Sequence, residues 1–238
     1  MPAFHRPFYR SKPNFQQPLR VSGRLEFAIA FAEAQRDPER RCQTVPMANV
    51  FKVSSVRIDR KLDKNRMSLP DRSMTSAFSV QNHDFERVRS SWRDARIALK
   101  FEYFLMRRLE NAVDLEKESI AISDGLFECD YSPLRGLDLG VAGTVLTLSA
   151  MGCFTIASCN GGCFGDFHHE DYPLVVFFAK GDDRDVLLCA AERSGTGISN
   201  ENGNLLVWAN DIWHMHRFAK AIFSLRWKPR QRRNRRSL

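Results

Sequence analysis

Long hydrophobic runs are missing from this sequence. No apolar stretch reaches the roughly 18–20 residues that cross a bilayer as a helix, so an integral helical membrane protein is excluded. Self-similar blocks of roughly 33–45 residues are missing too, which argues against a repeat array. The N-terminal segment lacks the apolar core of a secretory signal. Acidic residues are absent from both ends: residues 1–24 carry Arg6, Arg10, Lys12, Arg20 and Arg24, and residues 226–238 carry seven bases, with no acid in either segment. What is present is a globular balance of 43% hydrophobic and 27% charged residues among 238. Such a composition buries a core and excludes wholesale disorder.

The formal net charge is +8, and the terminal bases account for more than all of it. Residues 25–225 hold 24 bases against 28 acids, a net of −4. The expected organisation is a basic Pro/aromatic arm over 1–24, a single α/β body over 25–225, and an Arg-rich tail over 226–238, both ends being flexible. The polar stretch 59–82, with Pro70 and many Ser, Arg and Lys, is the candidate for a linker or mobile loop. In the tail, Arg226, Trp227, Lys228, Arg230, Arg232, Arg233, Arg235 and Arg236 suit nucleic acid or another polyanion. Each phosphate neutralised releases counterions and gives salt-sensitive, sequence-blind affinity, and Trp227 is available to stack on a base. A solubilising or partner-docking tail is the competing reading. The arm resembles a transit peptide in charge, but Pro2, Pro7, Pro13 and Pro18 break the amphipathic helix such a peptide forms. It reads as an extended segment offering Phe4, Phe8, Tyr9 and Phe15 to the body or to a protein partner. A cytoplasmic location is expected, where the six cysteines stay reduced.

Along the body, residues 25–36 predict a helix ending before Pro38, and residues 44–58 predict one or two strands. A long helix is predicted from Asp84, with Phe85, Val88, Trp92, Ala95, Leu99, Leu109 and Val113 along one face. Its polar side carries Arg87, Arg89, Arg93 and Arg96, which either line a basic groove or form a solvated face with Asp84, Glu86 and Asp94. Asp138 is the expected N-cap of a helix over 140–151 that Gly152 closes. A strand over 153–158 follows, then a continuously apolar strand, Pro173–Ala179, buried on both faces. Asp182 and Asp183 open a helix to about Arg193, Glu201-Asn202-Gly203 turns into a strand over 205–208, and Asn210-Asp211 caps a last helix through Leu225. Its inner side is Ile212, Met215, Phe218, Ala219, Ile222 and Phe223. The order α-β-β-α-β-α predicts an α/β or α+β fold, a mixed sheet with helices packed on it.

The densest chemistry lies in CFTIASCNGGCFGDFHHEDY, 153–172. One reading is a metal site: Cys159, Cys163 and His168 (or His169) supply three ligands, with Cys153, Asp166 or Glu170 as fourth, and zinc is the candidate ion. A second is an exposed Cys159 nucleophile with His168 or His169 as base and Asp171 or Glu170 orienting it. A third is a binding loop without covalent chemistry, in which Ser158, Asn160 and the amides of Gly161 and Gly162 hold an anion or nucleotide. A purely structural loop is the fourth, with Cys153, Cys42, Cys129 and Cys189 as small core residues. If the last helix packs beside this loop, at most one of His214 and His216 reaches it, since residues two apart face different sides of a helix.

Thr155-Ile156-Ala157-Ser158-Cys159-Asn160-Gly161 resembles the T-x-S-S-C-x-G signature of the tRNA wybutosine-synthesising methyltransferase family, in a similar helix–strand–loop–strand setting. The resemblance implies S-adenosylmethionine as cofactor, methylation of a modified guanosine in tRNA, and Ser158, Cys159 and Gly161 as part of the binding site. This chain has Ala157 at the motif's first serine and Gly162 at its basic residue. The stretch 136–162 is also similar to bacterial proteins of no assigned function.

The expected function is nucleotide or nucleic-acid binding, with RNA or nucleotide modification as its enzymatic form and the 158–171 loop as ligand site. The alternative is a non-catalytic subunit that docks through the basic tails and keeps the Cys/His cluster as a structural zinc site.

Overall fold

Ser91 fixes the start of the first long helix, α1 (Trp92–Glu110). Its side chain accepts from the Asp94 amide while the Asp94 carboxylate accepts from the Ser91 amide, a reciprocal capping box. The structure, a computed structural model, describes residues 51–70, 90–127, 132–162, 170–201 and 203–226. The helix expected over 25–36, the 44–50 part of the predicted strands, and the Asp84–Arg89 part of the long helix lie outside the described residues. As the spacing predicts, α1 buries Ala95, Leu99 and Leu109, together with Ala98, Leu105 and Met106. The periodicity ends at Asn111, where a turn leads into α2 (Leu115–Phe127). Val113 falls in that turn and is exposed rather than on the inner face.

Helix α3 (Ala142–Met151) ends at Gly152, whose φ of 100° lets its N–H reach the Leu148 and Ser149 carbonyls. Its start corrects the expectation of an Asp138 side-chain cap. Val141 occupies the cap position without a side-chain bond, and Asp138 contributes its carbonyl, which accepts from Val141 and Ala142. The amides of Gly140 and Gly143 are satisfied by Glu102 of α1, whose Oε1 accepts both at 3.1 Å. A cap supplied from forty residues upstream leaves no local trace in the sequence.

The five strands are β1 (Arg60–Lys61), β2 (Phe154–Cys159), β3 (Leu174–Phe178), β4 (Gly197–Glu201) and β5 (Asn204–Trp208), in the order β1-β4-β5-β3-β2. The β1–β4 pair is parallel and the others antiparallel. With α4 (Arg184–Ser194) and α5 (Ile212–Leu225), this gives the expected mixed sheet with helices packed against it. Strand β4 lies outside the predicted strands: it pairs with β5 as a hairpin across the expected turn. Its sequence, GISNE, has too little β-branched character to announce itself. Gly197 is there for packing, since a Cβ would come within 2.2 Å of the Trp208 ring.

Residues 59–70, expected as linker, contain β1 and a 3-10 turn at Lys64–Arg66, and they bury Leu62 and Met67. Asn200 fastens this segment by accepting from the Asp63 amide and donating to the Asp63 carbonyl. Residues 51–58 form no strand. Side chains alternate across a pleated sheet, and one face, with Val175, Phe177, Ile198, Leu205 and Val207, has no exposed surface. Strand β3 also buries Leu174 and Phe178, as its continuous apolar run predicts. Helix α5 buries Ile212, Met215, Phe218, Ala219 and Ile222, while Phe223 is half-buried against Trp92. Among the described residues, no helix is long and apolar enough to cross a membrane.

Candidate functional site

The described start of the loop after β2 is held by its own groups together with Leu139 and Lys52. Cys159 ends the strand, and its sulfur accepts from the Gly161 amide at 3.4 Å. Asn160 Oδ1 accepts from the Gly162 amide at 3.1 Å, and its Nδ2 donates to the Leu139 carbonyl. The two glycine amides considered for anion binding are therefore occupied inside the loop. The expectation of an exposed thiol is corrected as well: Cys159 is buried at the strand end, whereas reactive cysteines sit in partly exposed, electropositive surroundings. Ser158 is half-buried on the same strand. Asp171 is exposed and faces Lys52, whose Nζ lies 3.5 Å from its carboxylate and donates to the Gly161 carbonyl at 3.1 Å. Ser54 donates to the Asp171 carbonyl. Burial, followed by the Glu170 charge, pushes the Tyr172 phenol above its ordinary value.

Cys163, Asp166, His168 and His169 lie outside the described residues, so of the Cys159–Cys163–His168 ligand set only Cys159 is placed. Among the described residues, no three His, Cys, Asp or Glu side chains gather as a metal would require. Gly161 adopts a φ of 73°, and a Cβ there would approach the Tyr172 carbonyl carbon to 2.4 Å. Gly161→Ala is expected to cost about 2–4 kcal/mol through left-handed backbone strain and overpacking, read as a lowered urea midpoint. A variant within about 0.5 kcal/mol of wild type would contradict this packing.

His214 and His216 are engaged within their own surroundings. The Asp211 carboxylate caps α5 by accepting from the His214 amide at 2.7 Å and also meets His214 Nδ1. His216 is 3% exposed, and its Nδ1 lies 3.0 Å from Oε2 of the fully buried Glu102. Glu102 thus joins three elements: it rides on α1, caps α3 and fixes a ring on α5. Three rings meet there. Tyr103 lies 5.8 Å from Trp213 and 5.9 Å from His216, and Trp213 lies 6.3 Å from His216. Phe51 backs Trp213 at 6.2 Å.

Helices α1 and α5 run antiparallel, since Trp92 meets Phe223 at one end and Tyr103 meets Trp213 at the other. Their outer side is basic. Arg93, Arg96, Lys100, Tyr103 and Arg107 recur at helical spacing and are all exposed. From α5, exposed Arg217 and Lys220 join them, with Lys220 Nζ 5.8 Å over the Tyr103 ring. Two of the three acids of α1 are committed elsewhere, and the third neutralises Arg107 at the end of the line. Asp94 caps the helix and pairs with Arg135, Glu102 is buried, and Glu110 pairs with Arg107. Arg93, Arg96, Lys100 and Arg217 form no ion pair with a described acid. Of the basic-groove candidates, Arg93 and Arg96 are on this face, and Arg87 and Arg89 lie outside the described residues.

Arg226 sits where α5 ends. Its guanidinium lies 3.2 Å from the Phe223 ring centre and 5.6 Å from that of Trp92, and it donates to the Phe223 carbonyl. Burial in this seat and the Arg96 charge lower its pKa from the ordinary arginine value. Trp227, Lys228, Arg230, Arg232, Arg233, Arg235 and Arg236 lie outside the described residues. Sequence reading missed Glu102, Tyr103, Trp213 and Lys220 as a group, because their adjacency comes from pairing two helices over one hundred residues apart. A signal for Tyr103 was available in the Arg93–Arg96–Lys100–Tyr103–Arg107 periodicity. Compared with known proteins, the chain matches no family model, no curated protein and no solved structure.

Proposed function

We propose that the protein binds nucleic acid, with the phosphate backbone following the outer face of α1 and α5 toward the Arg-rich tail. The observation that carries this reading is the exposed line Arg93, Arg96 and Lys100, joined by Arg217 and Lys220, with Arg107 at its end paired to Glu110. Unneutralised cations on one face attract a polyanion by counterion release, and the body's net negative charge makes their segregation meaningful. Continuity supports the direction: Arg96 is close enough to Arg226 to shift it, and Arg226 is followed directly by six further bases. The described part of the 158–171 loop supports a structural junction, with Cys159 buried and the Gly161 and Gly162 amides used internally.

The test is the anisotropy of a fluorescein-labelled, roughly 12-nucleotide RNA titrated with the full chain. Affinity should fall steeply between about 0.05 and 0.2 M salt, with a log–log slope of about −0.7 per phosphate contacted. Absence of binding at the lower salt, or a flat dependence, contradicts the reading. The competing protein-docking surface, anchored by aromatic contacts, is the one that salt leaves nearly unchanged.

A further inference from the structure

A purely electrostatic surface needs no aromatic ring, yet Tyr103 stands in the middle of the basic line with 47% of its surface exposed. Resting on the nucleic-acid reading, we propose that Tyr103 is a stacking platform for an unpaired base, which makes single-stranded nucleic acid the ligand class of this face.

Two observations and one general property of nucleic acids converge on this. The ring is held before any ligand arrives: Trp213 meets it at 70° and 5.8 Å, and His216 flanks it at 5.9 Å. His216 is itself fixed by Glu102, which two backbone amides hold in turn. Such support lowers the ordering cost of binding. The charge around the ring selects the ligand's sign. Lys100 and Arg107 are one helical turn away on either side, and Lys220 reaches over the ring. A cationic guest of an aromatic cluster would be repelled here, whereas a group with both a π-face and a neighbouring anion is matched by ring and cations together. A nucleotide is that group. Finally, the bases of a duplex are stacked on one another and offer no free face, so a ring on an open helix surface takes its partner from an unpaired strand.

The experiment compares three probes on the full chain: a fluorescein-labelled single-stranded RNA, the corresponding duplex, and heparin, a polyanion without bases. Wild type should bind the single strand more tightly than the duplex. Tyr103→Leu keeps apolar bulk without a ring and should weaken single-strand binding by about 5- to 100-fold, the loss of one stacked base, with heparin affinity unchanged. Tyr103→Phe should retain wild-type affinity. Circular dichroism and the urea midpoint check that both variants fold. Equal single-strand affinity for Tyr103→Leu and wild type, or tighter binding of the duplex by wild type, overturns the stacking role while leaving the polyanion reading standing. No binding of any probe by wild type overturns both.

Discussion

Replacing Glu102 with alanine is expected to destabilise the protein by about 3–5 kcal/mol, the upper range for breaking a buried hydrogen-bond network. The carboxylate is fully buried and makes three bonds: two from the Gly140 and Gly143 amides and one with His216 Nδ1. Alanine leaves all three groups without that acceptor in an interior that offers no replacement. Each unsatisfied buried group costs about 1–3 kcal/mol. Glutamine preserves an acceptor for the two amides and should cost less, about 1–2 kcal/mol by the same reasoning. Urea unfolding monitored by circular dichroism measures both. If Glu102→Ala stays within about 1 kcal/mol of wild type, the three-element junction does not hold the fold as described. Because His216 flanks Tyr103, Glu102→Gln should also weaken single-strand RNA binding without touching the ligand.

Reversing charge on the outer face should affect binding and spare stability. On the proposed binding mode, the double variant Arg96→Glu, Lys100→Glu removes two phosphate partners and adds two repulsive charges. Affinity for single-stranded RNA near 0.1 M salt should fall by about 100-fold, and the salt slope should become shallower by about 1.4, the share of two contacts. Both side chains are exposed and neither pairs with a described acid, so the unfolding free energy from urea titration should change by less than about 0.5 kcal/mol. A matched loss from Asp182→Lys, Asp185→Lys, which alters α4 and its lead-in instead, is not expected. Unchanged affinity for the reversed variant would place the nucleic acid elsewhere.

The sequence made some of this legible and not the rest, for physical reasons. Features written in consecutive residues were readable. Gly152 closes α3 because a left-handed terminus favours glycine there, β3 is buried because PLVVFFA has no polar face, and α5 starts at Asp211 because a carboxylate caps the first amides. Features that depend on distant partners were hidden. Glu102 reads as one acid among many on a helix until α3 and α5 close around it. Lys52 reaches Gly161 across 109 residues. Strand β4 pairs through its backbone, while its glycine serves the Trp208 ring. Within the described start of the loop, Asn160, Gly161 and Gly162 look available in a sequence, while in the fold their polar groups meet Leu139, Cys159 and one another. For the basic face, the cations of α1 were visible, but the commitment of Asp94 and Glu102 to other partners, with Glu110 spent on Arg107 at the end of the line, separates a surface of unneutralised Arg93, Arg96 and Lys100 from an ordinary solvated one.

Ultraviolet crosslinking of the full chain to a single-stranded RNA containing 4-thiouridine, with mapping of the attached peptides by mass spectrometry, tests the central claim most directly. The account predicts adducts on the α1 peptide that contains Tyr103 and on the α5 peptide that contains Trp213, alongside adducts in 227–238. Adducts confined to 158–172, with α1 and α5 unmodified, would return the ligand to the loop and contradict the assignment of the α1–α5 face.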